Sequence, residues 1–341
     1  MSVPVYKPSI KRKEMDSVLT CLVSDQIGHG SVSVETAEVL MERTGTVACH
    51  FFREYERAIE IAFSMMDAEE GDQFILSPLV PGAYLHILKK MKLEPIFVDV
   101  ESHTAAVDLD DILDRITEKT RGILLYGPFG YQWDFTEWDL SGITLFEDVT
   151  QNFGSEVKEI KSGFMGDIVI MRMEAEDLIT CGGGSALMVR DKDMKSFLKE
   201  IVGRYDKSIL LSDINAALAL VQIKDFEKNF ELRRELHELF LTSLMKSRHG
   251  YLTGHSENIA YYSSLPVLVK GKVKEIQGYA LKKNVETTLA FKGCCLEVGQ
   301  DYEIHCPEAE TLVLNCVLFP LYPSLGKQNC ELITRILATL P

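Results

Sequence analysis

Residues 73–100 read QFILSPLVPGAYLHILKKMKLEPIFVDV, from Gln73 to Val100. The stretch opens on a short apolar run, Gln73–Ser77. It passes into a helix-period segment, Gly82–Met91, and closes on a second apolar run, Ile96–Val100. Runs of four or five apolar residues suit strands covered on both faces, while apolar positions three and four apart suit a helix lying on them. The unit is therefore strand, helix, strand. The same unit recurs on either side. Further strands are expected at Val47–Phe51, Gly122–Tyr126, Ile143–Glu147, Asp167–Met171 and Gly184–Val189. Helices are expected at Tyr55–Met66, Leu109–Ile116 and Arg190–Ile201. Seven such strands with helices between them specify a doubly wound α/β sheet.

The pattern changes after about Ser212. Residues Ser212–Leu244 read as one or two long helices with Ser212 as N-cap. Beyond them, strand-like runs at Ala260–Val267 and Thr311–Leu318 and a last helix at Lys327–Leu340 describe a smaller α+β unit. The boundary is expected near residue 235, giving units 1–235 and 236–341.

With 341 residues the chain is long enough for two cores, and 46% hydrophobic with 26% charged residues is a globular composition. The formal net charge of −15, without a basic stripe, argues against a nucleic-acid or anionic-membrane partner. No apolar run is long enough to span a bilayer. The first fifteen residues have no apolar core of a secretory signal, so a cytoplasmic protein is expected. Eight cysteines occur, none at CxxC spacing. They read as reduced, buried thiols, and no metal site is expected.

The order of the pieces resembles the DegT/StrS-type sugar aminotransferases, pyridoxal-phosphate (PLP) enzymes of the aspartate-aminotransferase fold. The likeness rests on Ser24–Gly30, Gly71-Asp72, Pro95–Val100, Glu147–Gln151, Gly163–Asp167, Ser212–Leu218, Cys306–Glu310, Phe319–Pro323 and Leu340-Pro341. It implies a PLP fold type I large domain with a mostly parallel seven-stranded sheet, followed by a small C-terminal domain. It also implies dimers with sites built across the interface, and work in sugar-nucleotide, surface-polysaccharide or natural-product pathways.

The resemblance also defines what a PLP site would need. A lysine forms the Schiff base, a carboxylate holds the pyridinium charged, and a glycine turn at a helix start cradles the phosphate. Asp148 matches the family carboxylate and Gln151 belongs to the same motif. Anchored on Gly166-Asp167 and on Thr180–Gly184, the lysine position holds Asp177. No lysine occurs between Lys161 and Asp191. The family's phosphate segment falls on Arg53–Ala58, so Tyr55 replaces the glycine and Glu56 the threonine. A carboxylate about 4 Å from a phosphate repels it by roughly 1 to 4 kcal/mol, which Arg53 can partly offset. The stacking aromatic falls on Pro81, with Tyr84 one helical turn away.

No PLP is therefore expected. Asp148, Asp177, Glu56, Glu174 and Glu176 supply carboxylates, and Arg53, Arg57 and Arg172 supply counter-charges. These read either as a salt-bridged plug in a vacant cofactor site or as a carboxylate pair for acid/base chemistry. The run Gly182–Gly184 reads as a turn, and His29 as a surface residue. The first functional expectation is a non-catalytic binding or partner subunit. It would form a homodimer or pair with an active relative, with a sugar nucleotide as candidate ligand. The alternatives are a PLP-independent enzyme acting on a sugar nucleotide through Asp148 or Asp177, and a conventional aminotransferase whose lysine lies elsewhere.

Overall fold

A computed structural model describes residues 2–66, 68–133, 140, 142–254 and 258–341. The apolar runs of the first half become the strands of one sheet. They are β1 (Ala48–Phe52), β2 (Gln73–Leu76), β3 (Glu94–Phe97), β4 (Thr120–Tyr126), β5 (Thr144–Asp148), β6 (Ile168–Arg172) and β7 (Ser185–Val189). Their spatial order is β1-β7-β6-β5-β4-β2-β3. All neighbours from β6 to β3 run parallel, and β7 alone opposes its two neighbours. Tyr126 pairs with Asp148, and Asp148 with Ile170. The carboxyl ends of β4, β5 and β6 thus lie side by side, where doubly wound sheets place their ligands.

Helices α1 (Arg12–Val23) and α2 (Ser31–Thr44) precede the sheet. The crossovers contain α3 (Tyr55–Phe63), α4 (Gly82–Met91) and α5 (Leu109–Asp114), and α6 (Lys192–Gly203) follows the last strand. On one sheet face Phe63, Phe74 and Phe146 meet edge to face, with centroids 4.6 to 5.3 Å apart. All three are fully buried, each contributing about 1.5–3 kcal/mol of transfer free energy. The opposite face is covered in part by α2 and by α7 (Asp213–Lys224), with Leu40, Ala216, Ala219 and Ile223 in one cluster with Val169 and Met171. Ser212 is the N-cap of α7, its hydroxyl accepting from Asn215 N at 3.4 Å.

The long helical region expected from the sequence is two helices, α7 and α8 (Phe226–Leu244). Helix α8 runs unbroken through residue 235, where the boundary was expected. Its later half carries Phe240 and Leu244 into the second core. That core lies against a four-stranded antiparallel sheet of β8 (Gly250–Tyr251), β9 (Leu265–Leu268), β10 (Thr288–Leu289) and β11 (Cys316–Phe319), in order β8-β9-β11-β10. The chain start joins it, for Val3 is bridged to Val285 and buried in the same cluster.

Two strand expectations here need correction. Within Thr311–Leu318, most residues belong to the helix α9 (Pro307–Asn315), and only Cys316 onward is strand. Pro307 sits in the first helical turn, where its missing N–H costs nothing. Ala309, Leu312 and Val313 are all buried at helical spacing. Within Ala260–Val267, only Leu265 onward is strand. Tyr261 instead stacks on Phe230 at 4.3 Å, and Tyr262 on His237 at 3.4 Å.

Candidate functional site

Asp148 is the last residue of β5 and is fully buried. Each of its oxygens is occupied. The Tyr84 hydroxyl donates to Oδ2 at 2.7 Å, and the Tyr55 hydroxyl donates to the same atom. Thr150 donates to Oδ1 through its amide at 2.9 Å and its hydroxyl at 2.5 Å. The Tyr55 and Tyr84 rings meet at right angles, 5.9 Å between centroids. Burial raises both phenols well above their ordinary pKa, and the neighbouring Asp148 adds to the effect. These tyrosines are therefore neutral donors at physiological pH. Tyr55 opens helix α3, and Tyr84 lies in the first turn of α4. Two helix starts thus aim aromatic rings at one strand end.

Asp177 lies in the loop after β6, its side chain only 5% exposed. It forms a two-pronged pair with Arg172, Nε to Oδ2 at 3.0 Å and Nη2 to Oδ1 at 2.8 Å. It also accepts the Glu174 amide at 2.7 Å. Burial nevertheless raises the Asp177 pKa to about 6, against the lowering effect of Arg172. Glu176 lies 3.4 Å from the same guanidinium. Thr180 is buried in the following turn and exchanges hydrogen bonds with Gln222 of α7.

Other residues of the expected cluster lie apart from Asp148. Arg53 and Glu56 are exposed. The Arg53 Nε donates to the Leu210 carbonyl at 3.0 Å, and Glu56 lies 3.7 Å from His86. Arg57 pairs with Glu60 at 2.5 Å. Of the charges expected to form one plug, Arg172, Asp177 and Glu176 come together, Asp148 is held by Tyr55, Tyr84 and Thr150, and Arg53, Glu56 and Arg57 have other partners. His29 is exposed, with Nδ1 3.2 Å from the Leu211 carbonyl oxygen. The eight cysteines are free thiols. Among the described residues no three His, Cys, Asp or Glu side chains converge for a metal, and no helix is long and apolar enough to cross a membrane.

Beside these groups a cavity of about 410 Å³ opens between the carboxyl ends of the strands and the second unit. Gln151, Arg172 and Glu176 line it from the sheet side, and Pro81 from the start of α4. Tyr6 and Lys292 also line it. They lie 286 positions apart, and nothing in their local sequence marks either. Tyr6 arrives because Val3 is hydrogen-bonded to Asn284 and Glu286. Lys292 arrives because the Gly293 carbonyl accepts the Gly82 amide at 2.9 Å.

Two carboxylates that the site reading passed over act as anchors. Glu147, buried beside Asp148, accepts the amides of Gly163, Met165 and Gly166 at 2.6, 3.1 and 3.0 Å. Asp213 accepts from Gly30 N, Val32 N, Ser33 N and the Ser33 hydroxyl, at 2.6 to 3.1 Å. It ties the start of α2 to the start of α7.

The model of the DegT/DnrJ/EryC1/StrS aminotransferase family matches residues 8–338. The chain belongs to this family. Among curated relatives, the GDP-perosamine synthase of Escherichia coli O157:H7 is 24% identical, covering 98% of each chain. The dTDP-4-dehydro-2,3,6-trideoxy-D-glucose 4-aminotransferase of Saccharopolyspora spinosa is 21% identical, over 95% of this chain and 92% of its own. Among solved structures, the aminotransferase TlmJ from Streptoalloteichus hindustanus superposes with a TM-score of 0.88 at 17% identity, covering 99% of this chain and 98% of its own. The E. coli GDP-4-keto-6-deoxy-D-mannose-3-dehydratase, solved with bound hydrated PLP, superposes with a TM-score of 0.87 at 15% identity, covering 99% and 100%. At these identities the structures establish the fold of the chain and nothing finer: an aminotransferase-type α/β fold with a mostly parallel seven-stranded sheet.

Proposed function

We propose that this chain is a ligand-binding member of a family of sugar-nucleotide biosynthesis and works without PLP. The observation that carries the reading is the double donation of Tyr55 and Tyr84 to Asp148 Oδ2. The residues there do not fit the cofactor. A pyridinium nitrogen would have to displace donors from a carboxylate that already accepts four hydrogen bonds. Leaving buried hydroxyls unpaired costs about 1–3 kcal/mol each. Tyr55 and Glu56 stand at the helix start that a phosphate would need, and Asp177 is committed to Arg172. The cavity beside them is of small-molecule size. Its candidate ligand is a sugar nucleotide, the chemistry named for the relatives.

The reading includes a homodimer, with a second copy as partner. On α1, Met15, Leu19, Leu22 and Val23 share one helix face and are 49% to 79% exposed. Beside them Lys11, Arg12 and Lys13 form a basic start on a chain of net charge −15. Arg12 and Lys13 are already paired within the chain, with Asp16 and Asp225, so the exposed apolar face is what supports the reading. A pair with an active relative is the competing outcome, and light scattering on the pure chain separates the two.

The test of the cofactor reading is a titration of PLP into the purified protein, followed by borohydride reduction and intact mass. We expect no aldimine absorbance and no adduct, in wild type and in Asp177→Lys alike. A stable wild-type adduct on a lysine lining the cavity would overturn the reading and restore a conventional aminotransferase. Lys292 is the one such lysine among the described residues.

A further inference from the structure

We propose that the cavity selects a sugar acid, with Lys292 as the residue that recognises its carboxylate. The inference rests on the reading of the cavity as a ligand site and names the class of sugar it takes. It starts from the charges on the wall. Arg172 is matched by Asp177 on two prongs, with Glu176 a further 3.4 Å away. Its positive charge is therefore already balanced. Lys292 is exposed and forms no ion pair or hydrogen bond among the described residues. Lys292 is thus the wall's one cation without a partner among the described residues, and Glu176 lies at the Arg172 side, so a negative group is suited to the Lys292 side alone. A group of higher charge settling deeper would approach Glu176, a cost that grows with its charge.

The remaining polar groups are neutral. The Tyr6 hydroxyl has no protein partner among the described residues and stays protonated, its pKa raised to about 12 by burial and then by Glu176. Gln151 accepts the Phe129 amide at 3.1 Å through Oε1, and its amide nitrogen makes no hydrogen bond among the described residues. Thr288 adds a hydroxyl from β10. Neutral donors and acceptors of this kind pair with hydroxyls. Leu79 and Pro81 add apolar wall for the C–H face of a ring. A cation, three neutral hydrogen-bonding groups and an apolar floor describe a hexuronate better than a neutral hexose.

The segment that carries Lys292 is held in place, so recognition needs no reordering of the loop. Gly293 N donates to Glu297 at 2.7 Å, and Phe291 packs on Phe129 with centroids 5.6 Å apart. The Ala290 amide donates to the Cys316 carbonyl at 3.0 Å.

The experiment is calorimetric titration of UDP-glucuronate, UDP-glucose and free glucuronate into wild type, Lys292→Met and Glu176→Gln. Wild type is expected to bind UDP-glucuronate about tenfold more tightly than UDP-glucose, which is about 1.4 kcal/mol. Lys292→Met should abolish that preference by weakening UDP-glucuronate more than UDP-glucose, and Glu176→Gln should enlarge it. Equal binding of the two nucleotide sugars, or a preference that survives Lys292→Met, overturns the sugar-acid inference and leaves the cavity reading standing. Lys292-dependent binding of free glucuronate without either nucleotide sugar keeps the inference and refutes the sugar-nucleotide ligand. Binding of none of the three refutes both.

Discussion

The Tyr84 hydroxyl lies 2.7 Å from Oδ2 of Asp148, the atom to which Tyr55 also donates. Two phenols from two helix starts therefore converge on one carboxylate oxygen at the end of a parallel strand. The buried carboxylate is satisfied from within the chain.

Because both phenols serve one oxygen, their removal should not be additive. Tyr55→Phe and Tyr84→Phe should each lower stability by about 1–3 kcal/mol. The double variant should depart from the sum, because the second loss leaves Asp148 with Thr150 alone. Urea unfolding of the four proteins measures the coupling, and strict additivity would mean the two hydroxyls act independently.

The Asp177 pKa lies near 6, raised by burial above the ordinary value of about 3.9. Between those values the folded state binds more protons than the unfolded state. The contribution of this group is therefore largest below about pH 4 and declines as pH rises through 6. Asp177→Asn removes the titration. Stability measured against pH should show wild type losing ground to Asp177→Asn across that window, and parallel curves would contradict the assignment.

His237 shows the opposite sign. Burial lowers its pKa to about 3, and its ring lies flat on Tyr262. The unfolded chain binds the proton more readily, so the contribution is intact above about pH 6.5 and is lost as pH falls toward 3. His237→Phe should flatten the acid limb of the stability profile. An unchanged limb would place acid sensitivity elsewhere.

Asp213→Ala should free the start of α2 from α7, at a cost of about 1–3 kcal/mol or more, since several donors lose one acceptor. Burial acts to raise the Asp213 pKa, but the Ser33 hydroxyl and the surrounding amides hold it below its ordinary value. The contribution is present above about pH 4 and is lost as pH falls through the depressed value. Amide exchange across residues 28–33 should accelerate in the variant, and unchanged protection there would refute the anchoring role.

Much of the fold was legible in local sequence. The seven apolar runs became the seven strands, and Gly82–Met91 is the helix expected from its periodicity. Such readings succeed where burial dictates residue type at a fixed period. Thr311–Leu318 misled because an apolar run fits a buried strand and a buried helix equally, and the Pro307 start decided for the helix.

The site divides along the same line. The sequence by itself determined how far Asp177 lies from Gly166-Asp167 and how far Tyr55 and Glu56 lie from Gly71-Asp72, because such positions are counted along the chain, and the family resemblance turned that count into the expectation of a lost lysine and a lost phosphate turn. Only the tertiary structure decided what these residues do. Tyr55 and Tyr84 close on Asp148, Asp177 is held by Arg172, and Arg53 and Glu56 face solvent. Tyr6 and Lys292 could be joined to one cavity only by folding, since their distance is set by the pairing of Val3 with residues 284–286 and by Gly82 binding Gly293. Hydrophobic period and motif spacing are local properties of a chain, whereas a pocket's charge is a sum over side chains that only packing brings together.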